Sequence, residues 1–552
     1  MEDVNEINPG LVLKNGWVYT IDRDNPFAQA IAIEEGRILF VGTSEDAENF
    51  IRPTTVVVDL DGKMVLPAFV DAHAHPSHAM DVVGNISLYA LDSLESYVRA
   101  IEIYVADHAD AEAYRGGGWT DTLFPHHGPR KEILDAIVPD RPIALVSYDG
   151  HSYWVNSLAL ERANIHKDTK DPAGGRIERD PATGLPSGIL RETAGDLLTG
   201  VIPAYSFDER KRALLAYQEM ALAAGISLSH DAMLDAQSAA VFQALVAEGR
   251  LKMRFRGALA LEPEQGIAEQ IEAVLAARAR YEHPFFQIRS AKIFVDGVVE
   301  GGTAFLLQPY NHYPGYCGEL IWDPDIMNAA CAVLDQNRIQ IHFHAIGDGA
   351  VRSALDALDI ARKTNGRLGA RHLITHLQLV EPEDIRRFKD LGVIGVPQPF
   401  WFKIDDYYRK LARPYLGVER AARQYPMRSF IEAGVIMASG SDFPVTIPFD
   451  PLIAIQTGVT RTAIDGAGDV LFAEERASLE DMLRSFTYNG AYANFLEKEI
   501  GSIKAGKRAD LIVLSQNLFE VPHTEIANTH VLLALVDGRE VYRSAAFPEV
   551  AA

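Results

Sequence analysis

An apolar run over residues 66–72 ends in two histidines separated by a single alanine, His73 and His75. Side chains alternate between faces along a strand, so this spacing predicts that both imidazoles point the same way and grip one ion. Imidazole nitrogen is the commonest protein ligand for divalent transition metals. A His-x-His pair at the carboxyl end of a strand therefore fits a catalytic metal site with an open position. Further residues of matching chemistry follow at Lys292, His344, His376 and Asp442. Each stands where a short apolar run gives way to turn chemistry.

The ordered set of two His, Lys, His, His and Asp is accompanied by other distinctive segments. They are Gly-Gly-Gly-Trp at 116–119, Asp-Gly-His-Ser-Tyr-Trp-Val-Asn-Ser at 149–157, Gly-Ile-Leu-Arg-Glu at 188–192, and residues 292–297, 344–348 and 440–444. With these motifs the chain resembles the amidohydrolase superfamily over nearly its whole length. Within it the sequence is most similar to the branch called amidohydrolase 3, which includes N-substituted formamide deformylases. The resemblance implies a (β/α)8 barrel holding two divalent ions, zinc by default. It implies that His73, His75 and Asp442 bind the more buried ion and that His344 and His376 bind the second. It also implies that Lys292 carries CO2 as a carbamate bridging the two. His342 shares a strand face with His344; the resemblance favours His344, the residue directly before Ala345-Ile346-Gly347-Asp348. His372 reads as structural.

An ammonium group cannot ligate a cation, so the carbamate needs a neutral amine first, which burial beside two cations favours by lowering the lysine pKa. The plainer reading is a buried lysine paired with Asp296. Two cations sharing a bridging water bring its pKa toward about 7, so hydroxide forms near neutrality. Asp442 can take its proton as hydroxide attacks a polarised carbonyl, then pass that proton to the leaving nitrogen. The plainer reading of Asp442 is a solvent-facing turn residue before Pro444. The expected activity is hydrolysis of a non-peptide C–N bond, in an N-substituted formamide or N-acyl amine with an apolar substituent. A cyclic amide hydrolase or deaminase of the same barrel is an alternative, as is a non-catalytic binding or regulatory homologue. Mononuclear deaminases of this type usually lack the bridging lysine and carry a glutamate shortly after the strand-five histidine, where this chain has Gly347-Asp348-Gly349.

Substrate contacts are expected from His151, Trp154 and Asn156, which combine polar tips with aromatic bulk in one segment, and from Trp119, Phe400 and Trp401 as apolar walls. Packing and helix capping explain the same residues nearly as well. His230, at an expected strand end, is a further candidate.

A barrel repeats about every 30 to 40 residues. By that measure His376 stands one repeat after His344, and Asp442 two repeats after His376, which places them on strands six and eight if His344 closes strand five. The interval from His75 to Lys292 is on the order of 100 residues too long for three repeats. An insertion over about residues 79–202 is expected to take up this surplus and to shape the substrate pocket. Short β-rich runs within residues 1–63 and 496–552 predict a small β-sandwich built from both termini, leaving residues 64–495 for the barrel.

A chain of 552 residues exceeds the size at which one core keeps growing, and 48% hydrophobic residues support a full interior. Fifty-two basic against 76 acidic residues give a formal charge of −24, which repels phosphate backbones and anionic membranes. Neither nucleic acid nor a membrane is therefore expected as a partner; a small-molecule amide is the partner that the resemblance implies. Two cysteines are too few for a disulfide framework, and residues 1–6 are acidic where a signal peptide is basic and then apolar. These features predict a cytoplasmic protein, with a homodimer the default assembly.

Overall fold

The fold was analysed in a computed structural model that describes residues 10–89, 91–124, 128–172, 174–466 and 468–547; the acidic stretch at 1–6 lies outside them. Seven parallel strands form the barrel wall: β1 (Phe69–Ala74), β2 (Ile226–Leu234), β3 (Arg254–Ala260), β4 (Phe286–Phe294), β5 (Gln340–Ala345), β6 (Leu373–His376) and β7 (Ile394–Val396). Every residue of β1, β5, β6 and β7 is buried, as expected of strands covered on both faces.

The eighth position is held by residues 436–442, which make no regular strand but bond to both neighbours. Ala438 N–H donates to the Gly395 carbonyl at 2.9 Å, Ala72 N–H to Ser439 at 3.1 Å, and Asp442 N–H to His73 at 2.7 Å. The barrel thus closes between β7 and β1. Register sets the lateral order of the chemistry: Lys292 lies opposite His342, Phe294 opposite His344, and Ala345 opposite His376.

Helices follow the strands for the usual amphipathic reason. Helix Asp348–Asn365 buries Val351, Ala354, Leu355, Leu358 and Ala361, a stripe at helical spacing, and stops at Gly366 with φ 78°. Among the described residues no helix is long and apolar enough to cross a membrane.

Both termini build a second layer structure. One sheet has the order Arg37–Gly42, Ala30–Glu34, Leu11–Lys14, Val56–Asp59, and the other joins Val531–Val536 and Leu511–Leu514 to Met64–Pro67 and Trp17–Tyr19. Leu13, Ile31, Val58, Val65, Val513 and Leu533 meet in the core between them. Met64–Pro67 pairs with Leu511–Leu514, so the barrel proper begins only at Phe69.

The chain divides into two compact units. The first holds the terminal sheets and the barrel; the second comprises His75–Tyr217 and Phe443–Pro448. Within this second unit a mixed six-stranded sheet, centred on Tyr114–Trp119, Ile143–Ser147 and Ser152–Val155, packs its own core around Tyr97, Trp119, Leu145 and Trp154.

Candidate metal centre

His73 at the end of β1, His376 at the end of β6 and Asp442 at the end of the closing segment bring one ligand atom each to within 4.8 Å of one another, and all three residues are buried. His73 Nε2 lies 3.1 Å from Asp442 Oδ1. The His376 ring is centred 5.1 Å from His73 and 4.5 Å from His344. Two of these residues occupy left-handed backbone, His376 at φ 73° and Asp442 at φ 60°. That conformation costs roughly 1–3 kcal/mol for a residue with a side chain and persists only where its surroundings enforce it.

Hydrogen bonds to oxygen acceptors set the tautomer of two of these rings. His376 Nδ1 is 2.9 Å from Gln398 Oε1, which can only accept, so the proton sits on Nδ1 and the Nε2 lone pair is left for a metal. His344 Nε2 donates to the Gly297 carbonyl at 3.1 Å. His73 Nδ1 lies 2.7 Å from His342 Nε2. Either nitrogen of that pair can donate; the other nitrogen of His73, Nε2, is the one turned to Asp442. Burial, reinforced by neighbouring cationic groups, holds His342 and His376 well below the usual histidine range, so both rings are neutral at physiological pH.

Lys292 on β4 is fully buried, and burial pulls its amine down to about 7 against the opposing pull of Asp442. Its Nζ lies 4.7 Å from the Phe294 ring centroid. Asp296, the partner in the plainer reading of this lysine, is engaged elsewhere. Its carboxylate accepts from the backbone N–H groups of Phe305 (2.9 Å), Ile346 (3.0 Å) and Gly347 (2.9 Å) and so buttresses the turn after His344. Burial still pushes Asp296 up to about 7. Asp71 plays a comparable part: it accepts from Ser441 N–H at 2.9 Å, Ser441 Oγ–H at 2.5 Å and His73 N–H at 3.3 Å, tying β1 to the segment that carries Asp442.

The structure therefore gathers His73, Lys292, His344, His376 and Asp442 in the barrel unit. His75 stands one residue past the end of β1 and opens the second unit, where its N–H donates to the Phe443 carbonyl at 2.6 Å. Trp401 is half-buried and stacks on His376, with centroids 5.7 Å apart and planes 12° from parallel. Phe400 is core, 3% exposed. The His230 ring lies 4.8 Å from His342, and its Nδ1 donates to Asn494 Oδ1 at 2.9 Å.

Three of the expected substrate contacts have structural work instead. Trp119 and Trp154 are fully buried, with their indole N–H groups on the carbonyls of Leu145 (2.8 Å) and Arg130 (3.1 Å). Asn156 caps helix Ser157–Arg162 and bonds to the carbonyls of Val138 and Arg141. Polar tips with aromatic bulk describe a capped, well-packed turn as well as a pocket, and here packing takes them. His151 pairs with Glu192 at 2.9 Å in the same unit. Sequence reading passed over Gln398 and Asp71. No spacing rule marks them, because each acts on a residue distant in sequence.

Neutral imidazoles, a carboxylate and a readily deprotonated lysine, converging in a buried site, form a donor set that suits divalent transition metals. Residues 56–542 match the model of the amidohydrolase family. The chain belongs to that family. Protein LONG AFTER FAR-RED 3 of Arabidopsis thaliana is 30% identical over 96% of this chain and 91% of its own length. The N-substituted formamide deformylase of Arthrobacter pascens is 27% identical over 96% of this chain and 97% of its own. An uncharacterized metal-dependent hydrolase from Pyrococcus furiosus superposes with a TM-score of 0.72 at 27% identity, covering 92% of this chain and 99% of that one. This amidohydrolase is accordingly a metal-dependent hydrolase of carbon–nitrogen bonds.

Proposed function

We propose that this amidohydrolase hydrolyses an N-substituted formamide or N-acyl amine, giving the carboxylic acid and the free amine. The observation that carries the reading is the convergence of His73, His376 and Asp442 beside a lysine held near neutrality. Because the ligand atoms of His73, His376 and Asp442 converge, these three would hold one divalent ion, zinc by default, in place of the expected grouping of His73 and Asp442 with His75, and His344 with Lys292 as its carbamate would serve a second. Such ions supply Lewis-acid polarisation of the amide carbonyl and an acidified water. Asp442 would accept the water's proton at a carboxylate oxygen and return it to the amide nitrogen, which leaves poorly until protonated. Trp401, flat against His376, offers an apolar face to the nitrogen substituent. The formamide class is favoured by the full-length likeness to a formamide deformylase.

The test is elemental analysis of protein purified without chelator, a mass measurement for the carbamate, and a panel of N-alkyl and N-aryl formamides and acetamides scored for released amine. About two ions per chain with amine release supports the reading. At most one ion after metal and bicarbonate are restored, with Lys292 unmodified, overturns the two-ion arrangement. A full metal complement with no amine released from any amide overturns the catalytic assignment in favour of a binding or regulatory role.

A further inference from the structure

At the amino-terminal ends of β3 and β4, away from the strand end that carries Lys292, the barrel unit contains a cavity of about 300 Å³. Its lining includes five arginines, Arg37, Arg254, Arg256, Arg289 and Arg508. In a chain with a formal charge of −24 such a concentration of positive charge has to be explained locally.

Most of these guanidinium groups have carboxylate partners. Arg254 pairs with Asp510 and Asp537, Arg508 with Asp537 at 2.9 Å and Glu499 at 3.0 Å, and Arg37 with Glu499 at 3.0 Å. Arg289 donates to Gln287 Oε1 at 2.9 Å and approaches the exposed Glu282 only to 3.8 Å.

Arg256 differs from all of them. It is 3% exposed, its one hydrogen bond is from Nη1 to the Phe255 carbonyl at 2.8 Å, and its buried Nε has no partner among the described residues. Among the described residues no ion pair joins it to a carboxylate: the charged groups that act on it most are Arg254 and Arg289, and Glu499, which also lines the cavity, is taken up by Arg37 and Arg508. A guanidinium cannot shed its proton as a buried lysine does, so its charge must be met by a counter-ion. Its planar donor fork matches a carboxylate or phosphate group.

We propose that this cavity binds a small oxyanion, a carboxylate or phosphate group, with Arg256 as the buried anchor and Arg289 as the more exposed second donor. The site is separate from the metal centre and independent of the substrate proposed above. Full-length, metal-loaded protein in a phosphate-free zwitterionic buffer is titrated with inorganic phosphate and, separately, with succinate, following Tm and heat. The expected result is a saturable rise in Tm of a few degrees with at least one of the two. Phosphate alone identifies a phosphoryl site, succinate alone a carboxylate site, and either supports the proposal.

Arg256→Met removes an unpaired buried charge for an apolar chain of similar length and is expected to fold, while weakening anion binding by roughly tenfold or more. Arg289→Gln is expected to weaken it less, and carries the test should the first variant fail to fold. The proposal is overturned if neither anion shifts Tm, or if binding is unchanged in the variants, which would place the anion at the metal centre.

Discussion

His342 stands behind the candidate ligand His73: its Nε2 lies 2.7 Å from His73 Nδ1, on the far side of the ring from Asp442. Removing such an orienting partner typically costs 10–100-fold in metal affinity. His342→Phe is therefore expected to weaken metal binding by about that factor, read by competition with a chelator, while activity per bound metal changes much less. Unchanged affinity with lost turnover would mean that His342 meets the substrate instead. Lys292 yields a pH prediction. CO2 adds only to the neutral amine, and a pKa pulled from 10.5 to about 7 makes that form dominant above pH 7. Carboxylation of the metal-free protein, followed by NMR with labelled bicarbonate, should rise through about pH 7; a midpoint near 10 would show the lysine to be solvated. The same shift means that the unfolded chain retains a proton the folded chain has released, so this group's contribution to stability increases from pH 7 towards 10.5. His73, His376 and Asp442, which converge in the fold, could be singled out in the sequence because apolar runs breaking into turns and metal chemistry constrain residue types together, whereas strand alternation alone paired His73 with His75, which lies past the end of β1. The orienting residues could not be singled out, since their partners are set by the closed barrel.

At the scale of elements, the centre depends on how closely the closing segment approaches β1. A Cβ at Gly440 would stand 2.6 Å from His73 N and 2.8 Å from His73 Cβ and O. None of these atoms can give way without moving the strand. Gly440→Ala is thus expected to displace His73 from Asp442, with an overpacking penalty of about 1–3 kcal/mol and a loss of bound metal. Retention of metal at full stoichiometry would show that the segment can shift without disturbing the ligands. The ends of β5 and β6 were readable from apolar runs breaking into turns after His344 and His376. The closing position was harder to place, because residues 436–442 pair irregularly and alternate glycine and serine where a strand would carry branched side chains. The same limit explains Trp119, Trp154 and Asn156. Residue type alone does not separate a pocket wall from the core of a unit that has its own sheet.

At the scale of the molecule, the β-rich runs at both ends and the surplus length before Lys292 were visible as composition, and the terminal sheets do share one core. What composition could not show is how those sheets are fastened to the barrel. Arg254 at the start of β3 is buried against Asp510 and Asp537, residues that flank the strands Leu511–Leu514 and Val531–Val536. Removing one partner of a buried pair costs about 3–5 kcal/mol, because the remaining charge is stranded. Arg254→Met would strand Asp510, which is fully buried and already has a raised pKa, chiefly from burial. A carboxyl whose folded pKa is raised loses stability as pH rises through that pKa, and losing the guanidinium raises it further. The variant should therefore melt well below the wild type at neutral pH, and the gap should narrow at mildly acidic pH as Asp510 takes up a proton. Arg254→Met combined with Asp510→Leu, which replaces both members of that pair with apolar side chains, should recover much of the loss at neutral pH. Melting curves of the two variants at both pH values decide the matter: a gap that does not change with pH, and no recovery in the double variant, would show that Arg254 secures the joint through packing of its aliphatic stem and not through charge.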